Sequence, residues 1–523
     1  MSTLPNPEFW QLRKPAVSAA GGLVASQHYA ASAVGAQVLT DGGNAVDAAV
    51  ATGLAIGCVE PWMSGIGGGG YMLVASAGSD VVHTVEFPMV APQGLDPANY
   101  PPSEGASGDL FGWPGVLDDR NVHGFHAVAV PGHVAGMALA LERFGSRSWA
   151  DSLAPAIGLA DAGMAVDWYA TLLIAGGAAI LRRYDAAREV FLPDGLPPVP
   201  DWQGNPARLR LGRLADTLRR LAEAGPDDFY RGEIAAAVVR DAQAGGSSLS
   251  AEDLAAYRPQ IGTADVMDYR DARIYSAPGL TAGPTLQAVL RQLAAGWTPA
   301  GTAPDATAYA SYATALLQAY EERLAHMGDA DESKAPSCTT HISVIDAEGT
   351  MVTLTQTLLS LFGSRVMLPE TGITMNNGIM WFDPRPGHPN SIGPGRRPLS
   401  NMCPAVLRRA DGLAVALGAS GGRRIMPAVA QLISCIVDYG MDLEEAFHTP
   451  RIDVSGSETV TADAAMAPEI LAALQSDFPA RPVQHGVYPP LFACPNAVAR
   501  AGNGGPNTGA AYLNSPWARV VAQ

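Results

Sequence analysis

Two adjacent threonines, Thr339 and Thr340, stand directly after a polar stretch, Gly328–Cys338. They open a run in which Thr340, Ile342, Val344 and Asp346 alternate with His341, Ser343 and Ile345, the period of a strand. A threonine hydroxyl is a poor nucleophile and needs a base within hydrogen-bond reach. If the peptide bond before it is cut, its own α-amine, with an ordinary pKa near ~8, can take the proton at neutral pH. One residue then supplies nucleophile and base, and no histidine or aspartate partner is required. Residue type and spacing do not choose between Thr339 and Thr340. A Thr-Thr pair entering a strand also satisfies β-propensity alone.

Other chemistries find less support. The run Gly65–Gly70 has no following Lys-Ser/Thr and leads into a strand, Tyr71–Ser76, so it reads as close backbone packing rather than a phosphate loop. Cys58, Cys338, Cys403, Cys435 and Cys494 are scattered, without a CxxC pair or a histidine at metal-ligand spacing. The expected chemistry needs neither a metal nor an organic cofactor.

The elements that would hold these residues change character along the chain. Pro15–Ser26 reads as a first strand. Ala30–Thr40 and Gly43–Val59 carry apolar residues at helical spacing, broken by Asp41-Gly42-Gly43. Trp149–Leu290 is mostly helical in pattern, with Leu211, Leu214, Leu218 and Leu221 at helical intervals and Ser250 capping a helix that begins with Glu252 and Asp253. Ala306–Met327 is a further long helix. After Thr339 the pattern becomes a hairpin: strand, the turn Asp346-Ala347-Glu348-Gly349, then Met351–Thr357. Later helices are expected at Pro427–Val437 and Leu443–His448. Helices in one part and hairpin strands in another predict a layered α+β fold.

The segment Thr339–Asp346 resembles the processing-site signature of the gamma-glutamyltransferase family. The similarity continues through Phe362-Gly363-Ser364, Thr371-Gly372-Ile373, Asn376-Asn377, Pro394–Ser400 and Gly418–Ile425. Upstream it includes Gly42–Ala49, Gly67–Gly70, Val130-Pro131-Gly132, Asp228–Gly232 and Gly328-Asp329. The resemblance implies an N-terminal-nucleophile hydrolase, an αββα four-layer sandwich. It implies autocleavage between Cys338 and Thr339, giving a large segment, 1–338, and a small one, 339–523, that stay associated as a heterodimer within one cooperative fold. Larger assembly is left open. The family's nucleophile matches Thr339, and the threonine that steadies the new amine matches Thr357. Gly421 and Gly422 match the pair whose N–H groups form the oxyanion hole. His341 matches no catalytic base and reads as a structural histidine.

The glutamate-binding positions depart from the family. Where an arginine clamps the substrate α-carboxylate, the chain has Pro88. Leu359 replaces an asparagine, Gly378 a glutamine, and Trp381 the aspartate that holds the α-ammonium. Of two serines, Ser400 remains and the other is Asn401. A head group carrying both charges costs several kcal/mol to bury without partners. Leu359, Met380, Trp381 and Phe382 would instead wall an apolar pocket that rejects it. Arg423, directly after the oxyanion glycines, either holds a substrate carboxylate or makes a surface ion pair. Asp383 lies two residues past the lost aspartate and is a second candidate for recovered charge. The expectation is an amidohydrolase or acylase acting on a small-molecule amide, resembling oxamate amidohydrolases or cephalosporin acylases. True gamma-glutamyl transfer from glutathione, or a non-catalytic ligand-binding relative, are the alternatives.

Composition fits this class. With 33 Lys+Arg against 50 Asp+Glu the net charge is −17, which disfavours nucleic acid and anionic membrane as partners. Met1–Arg13 lacks an apolar core of the signal-peptide kind, and the longest apolar run, Ala170–Leu181, is too short to span a bilayer. Sparse, odd cysteines suit a reducing compartment, so a cytoplasmic protein is expected.

Overall fold

Strands that carry apolar residues on both faces are stable only when both faces are covered. Every residue from Met351 to Ser360 is buried, so this strand requires a layer on each side. The computed structural model, which describes residues 12–106, 113–327, 337–455, 459–502 and 504–523, supplies them.

Two seven-stranded sheets, antiparallel throughout, lie at the centre. In the first, the order is Arg519–Ala522, Leu23–Ser26, Ser337–Ile345, Met351–Ser360, Gly69–Ala75, Val82–Phe87 and Gln260–Thr263. In the second, it is Val17–Ala19, Asn507–Ala511, Cys494–Arg500, Ala414–Ser420, Ala405–Arg409, Ala272–Ser276 and Asp265–Tyr269. Three apolar layers follow from this stacking. Leu23, Leu73, Tyr275, Ile345, Met351, Val406 and Val498 pack between the sheets. Ile342, Val344 and Leu354 face the helices Ala45–Val59, His133–Phe144 and Trp149–Ala162. Leu407, Val415 and Leu417 face Gly283–Gly296, Ala306–Met327 and Ile425–Asp438. This is the αββα sandwich.

The expected helices form where their caps allow. Asn44 accepts from Val46 N and Asp47 N, and Asp47 answers by accepting from Asn44 N, a capping box. The same buried carboxylate takes the N–H groups of Ser146 and Arg147, which fastens the next helical hairpin to this one. Ser250 and Asp253 form a second capping box. Ala306–Met327 and Leu443–His448 fall at the expected bounds.

Three expectations change. Pro15–Ser26 is two short strands, Val17–Ala19 and Leu23–Ser26, which belong to different sheets. Trp149–Leu290 contains strands at Gln260–Thr263, Asp265–Tyr269 and Ala272–Ser276; the first two are sheet edges whose largely exposed sequences carry little apolar alternation. The strand that carries Thr339 begins at Ser337, not at Thr339. Residues 328–336, including Gly328-Asp329, lie outside the described residues.

The glycine run does what close packing requires. A methyl group at Gly68 would overlap the carbonyl oxygen of Thr357, and one at Gly70 would overlap that of Thr355. Gly68 O also accepts from Gly132 N and His133 N, which ties in the Val130-Pro131-Gly132 segment. The change Gly68→Ala should therefore destabilise the protein by about 1–3 kcal/mol and displace Thr357. Thermal melts would read this as a lowered Tm together with slowed self-cleavage; an unchanged Tm would contradict the packing argument.

Candidate active site

Thr339 stands at an irregularity in its strand. Cys338 pairs with Leu359 and Thr340 with Gln356, so Thr357 and Leu358 together face the single residue Thr339. Such a bulge bends the strand and re-aims a side chain. Thr339 Oγ1 donates to Thr357 Oγ1 at 3.3 Å, and Thr357 Oγ1 also accepts from Leu359 N at 2.8 Å. Thr340 is occupied elsewhere, its Oγ1 accepting from Ser64 Oγ at 3.0 Å on the helix side of the sheet. Geometry thus separates two threonines that spacing left equivalent.

His341 is fully buried between the sheets. Its ring meets Thr355 Oγ1 at 2.8 Å, Thr353 Oγ1 at 3.1 Å and Ser343 Oγ at 3.2 Å. Burial pushes its pKa down to about 3, so it stays neutral and serves as a strut. Its backbone is held by side chains, the N–H by Gln27 Oε1 at 3.0 Å and the carbonyl by Asn496 Nδ2 at 2.7 Å.

The second sheet delivers the glycines. Gly418 lies against the His341 ring, Leu417 O accepts from Thr353 Oγ1 at 3.0 Å, and the turn after Ser420 packs on the nucleophile strand. Gly421 and Gly422 have φ of 128° and 60°, a left-handed pair that only glycine adopts readily. They lead through Gly422–Arg424 into the N-terminus of helix Ile425–Asp438, where unpaired N–H groups and the helix dipole favour negative charge.

Comparison with known proteins gives this geometry its kin. The gamma-glutamyltranspeptidase family model matches residues 31–338 and 332–488. The chain belongs to the gamma-glutamyltranspeptidase family. It is 34% identical over 480 residues to an acylase ACY 1 proenzyme of Pseudomonas sp. (strain SE83), covering 85% of this chain and 84% of that one. It is 31% identical over 492 residues to the glutathione hydrolase proenzyme of Escherichia coli (strain K12), covering 83% and 81%. The structure of a cephalosporin acylase from Bacillus halodurans shares the fold over 100% of this chain and 99% of its own, with a TM-score of 0.86 at 24% identity. The protein is accordingly an enzyme of the hydrolase and acyltransferase kind.

Within this family the altered head-group positions come together. Leu359, Ile379, Met380, Trp381, Phe382, Met89 and Met402 form one buried apolar cluster with Tyr71, Tyr100 and Trp113. Pro88 precedes Met89, and its carbonyl accepts from Tyr257 OH at 2.7 Å. Leu359 has φ 92°, a conformation asparagine tolerates and leucine does not favour, costing about 1–3 kcal/mol that its apolar contacts must offset.

Asp383 does not restore the lost charge. It is fully buried and already clasped by Arg385, through Nε at 3.0 Å and Nη2 at 2.8 Å. Arg423 is only 6% exposed, which removes the surface ion pair, and its carbonyl accepts from Tyr320 OH. Ser400 is fully buried and spends its backbone on Leu280 O and Arg323. Asn401 Oδ1 accepts from Arg323 at 3.5 Å, while its buried Nδ2 has no partner among the described residues.

Arg323 escaped sequence reading. It donates to Thr281 O, Thr285 Oγ1, Ser400 O and Asn401 Oδ1, and among the described residues it has no carboxylate partner. The signal lay in its spacing, since it continues the buried stripe Tyr309, Tyr312, Leu316, Tyr320. Ser64, Gln356 and Asn496 were missed because their partners are distant in sequence.

Glu60, which ends helix Ala45–Val59, is 3% exposed, and its Oε2 has no hydrogen-bond partner among the described residues. Burial raises its pKa to about 8. The folded protein therefore holds this proton where the unfolded chain has released it, so stability falls as pH rises from the ordinary carboxyl range to about 8. Denaturant titrations should show Glu60→Gln losing less stability than wild type over that window. Parallel pH profiles for the two proteins would contradict the assignment.

Proposed function

We propose that the protein is an autoprocessing threonine-nucleophile acylase that hydrolyses an amide whose acyl group lacks the glutamyl α-ammonium. In self-cleavage, Thr339 Oγ1 attacks the Cys338 carbonyl carbon, the Cys338–Thr339 C–N bond breaks, and the nitrogen takes the proton to become a free amine. Water then hydrolyses the resulting ester, releasing the Cys338 carboxylate and regenerating the Thr339 hydroxyl.

With substrate, the Thr339 amine accepts the hydroxyl proton as Oγ1 attacks the amide carbonyl. Thr357 steadies the nucleophile. The N–H groups of Gly421 and Gly422 face the developing oxyanion, a contribution of ~3–4 kcal/mol per donor in comparable sites. The amine passes its proton to the leaving nitrogen, and water releases the acyl group.

Large and small segments remain together in this reading, because both sheets interleave them. Leu23–Ser26 lies between Arg519–Ala522 and Ser337–Ile345, and Gly69–Ala75 pairs with Met351–Ser360. The thiols of Cys58, Cys403, Cys435 and Cys494 are unpaired, which supports the cytoplasmic placement that is part of the same proposal.

One observation carries the acyl preference: the positions that would hold a zwitterionic head group are apolar and buried in one cluster, and Asp383 is already neutralised. The donors at its margin, Asn401 Nδ2 and the cation of Arg323, suit an acceptor or carboxylate but not an ammonium ion. Glutaryl-p-nitroanilide and gamma-glutamyl-p-nitroanilide differ only by that ammonium. The glutaryl compound should be favoured at least ~10-fold in kcat/KM, the equivalent of ~1.4 kcal/mol. Preference for the gamma-glutamyl compound would reverse the reading and make the enzyme a glutathione hydrolase.

A further inference from the structure

Thr339 and the Gly421–Gly422 turn belong to different sheets, joined farther from the turn by Thr353 to Leu417 O and by Asn496 to His341 O. At the residue beside the turn, Ser420, a further side chain makes the link. Gln27 follows the strand Leu23–Ser26, whose pairing with the nucleophile strand stops at Ser26↔Ile342. There the backbone turns away. The carboxamide of Gln27 takes over, with Oε1 accepting from His341 N at 3.0 Å and Nε2 donating to Ser420 Oγ at 2.7 Å. Ser420 directly precedes Gly421. The amide orientation is forced, since a reversed amide would set its NH2 against the His341 N–H.

Both ends of this link are anchored. Gln27 is 4% exposed and sits between Ser26, whose Oγ bonds Ser32 Oγ at 2.7 Å, and His28, whose Nδ1 caps the next helix by accepting from Ala30 N. Ser420 is 4% exposed, and its strand pairs with Cys494 opposite. Ala493, one residue earlier, lies against Gly421 and blocks its retreat.

We propose that Gln27 is a positioning residue whose amide fixes the spacing between the nucleophile strand and the oxyanion turn. The proposal rests on the reading of Thr339 as nucleophile and of Gly421 and Gly422 as oxyanion donors. Gln27 does not touch substrate. It acts through His341 N and Ser420 Oγ, so its loss should lower kcat and leave KM nearly unchanged.

The test is a double-mutant cycle on glutaryl-p-nitroanilide hydrolysis, with the self-cleavage rate read in parallel by mass. Gln27→Leu and Ser420→Ala should each reduce kcat by ~10–100-fold, the scale of a displaced catalytic group, with KM within about twofold. The double variant should be no slower than the slower single one, because either change breaks the same link. Gln27→Glu supplies a readout that general loosening would not move. Protonated, it accepts from His341 N and donates to Ser420 Oγ as the amide does; ionised, it keeps Ser420 only if that hydroxyl turns to donate, and it places a buried charge in the link. Its rate relative to wild type should rise as pH falls from about 8 to about 5. The Cys494 thiol meets both Gln27 and Ser420, with Glu60 and Lys14 close to it, and these groups set where in that window the ratio rises. Should Gln27→Leu remain uncut, Ser420→Ala and Gln27→Glu decide the question. Unchanged kcat, losses that multiply, or a ratio flat with pH would overturn the proposal. If wild type cuts itself but hydrolyses neither anilide, the acylase reading fails. Gln27 is then judged on self-cleavage alone, where a rate unchanged by Ser420→Ala overturns it.

Discussion

The mismatch of one residue between Ser337–Ile345 and Met351–Ser360 is the constraint on which the site depends. Two regular antiparallel strands would send Thr339 into the ladder like any other residue. With Thr357 and Leu358 sharing the place opposite it, Thr339 turns its hydroxyl to Thr357 and comes next to the one peptide bond whose cleavage frees its own amine. Every layer around the bulge serves to hold it. Gly68 and Gly70 let one neighbouring strand close on the carbonyls of Thr357 and Thr355, and Ser64 draws Thr340 to the opposite face. A row of buried hydroxyls around a neutral His341 replaces the apolar packing that would otherwise separate the sheets.

The same rigidity explains how the machinery and the specificity come apart. Thr339, Thr357, Gly421 and Gly422 are set by backbone geometry in two central sheets, where a change is costly. The head-group positions lie on the segment after the hairpin, in the cluster of Leu359, Trp381 and Met402. A lone ammonium partner there would be a buried charge without compensation, so exchange of the whole group is favoured over exchange of one member.

The hairpin Ser337–Ile345 and Met351–Ser360, its Asp346-Ala347-Glu348-Gly349 turn and the long helix Ala306–Met327 were legible because local period and turn chemistry specify them. The proposed nucleophile was legible only by resemblance. Period and type could not separate Thr339 from Thr340, since the difference is a bulge created by pairing with residues 356–359. Asp383 looked available because Arg385, two residues away, leaves no pattern that distinguishes a clasped carboxylate from a free one. Arg423 looked exposed because arginines usually are, whereas this one is packed under a tyrosine from Ala306–Met327. Gln27 and Asn496 act across sheets, and a single sequence holds no trace of such contacts, whereas Arg323 shows in sequence only its place in a helical stripe and not its partners.

Whether Thr339 makes itself into the nucleophile is tested most directly by the intact mass of the purified protein. Two species, residues 1–338 and 339–523, are expected in the wild-type protein, and one uncut chain for Thr339→Ala. A single uncut chain in the wild type after prolonged incubation, or cleavage that persists in Thr339→Ala, would contradict self-cleavage by Thr339.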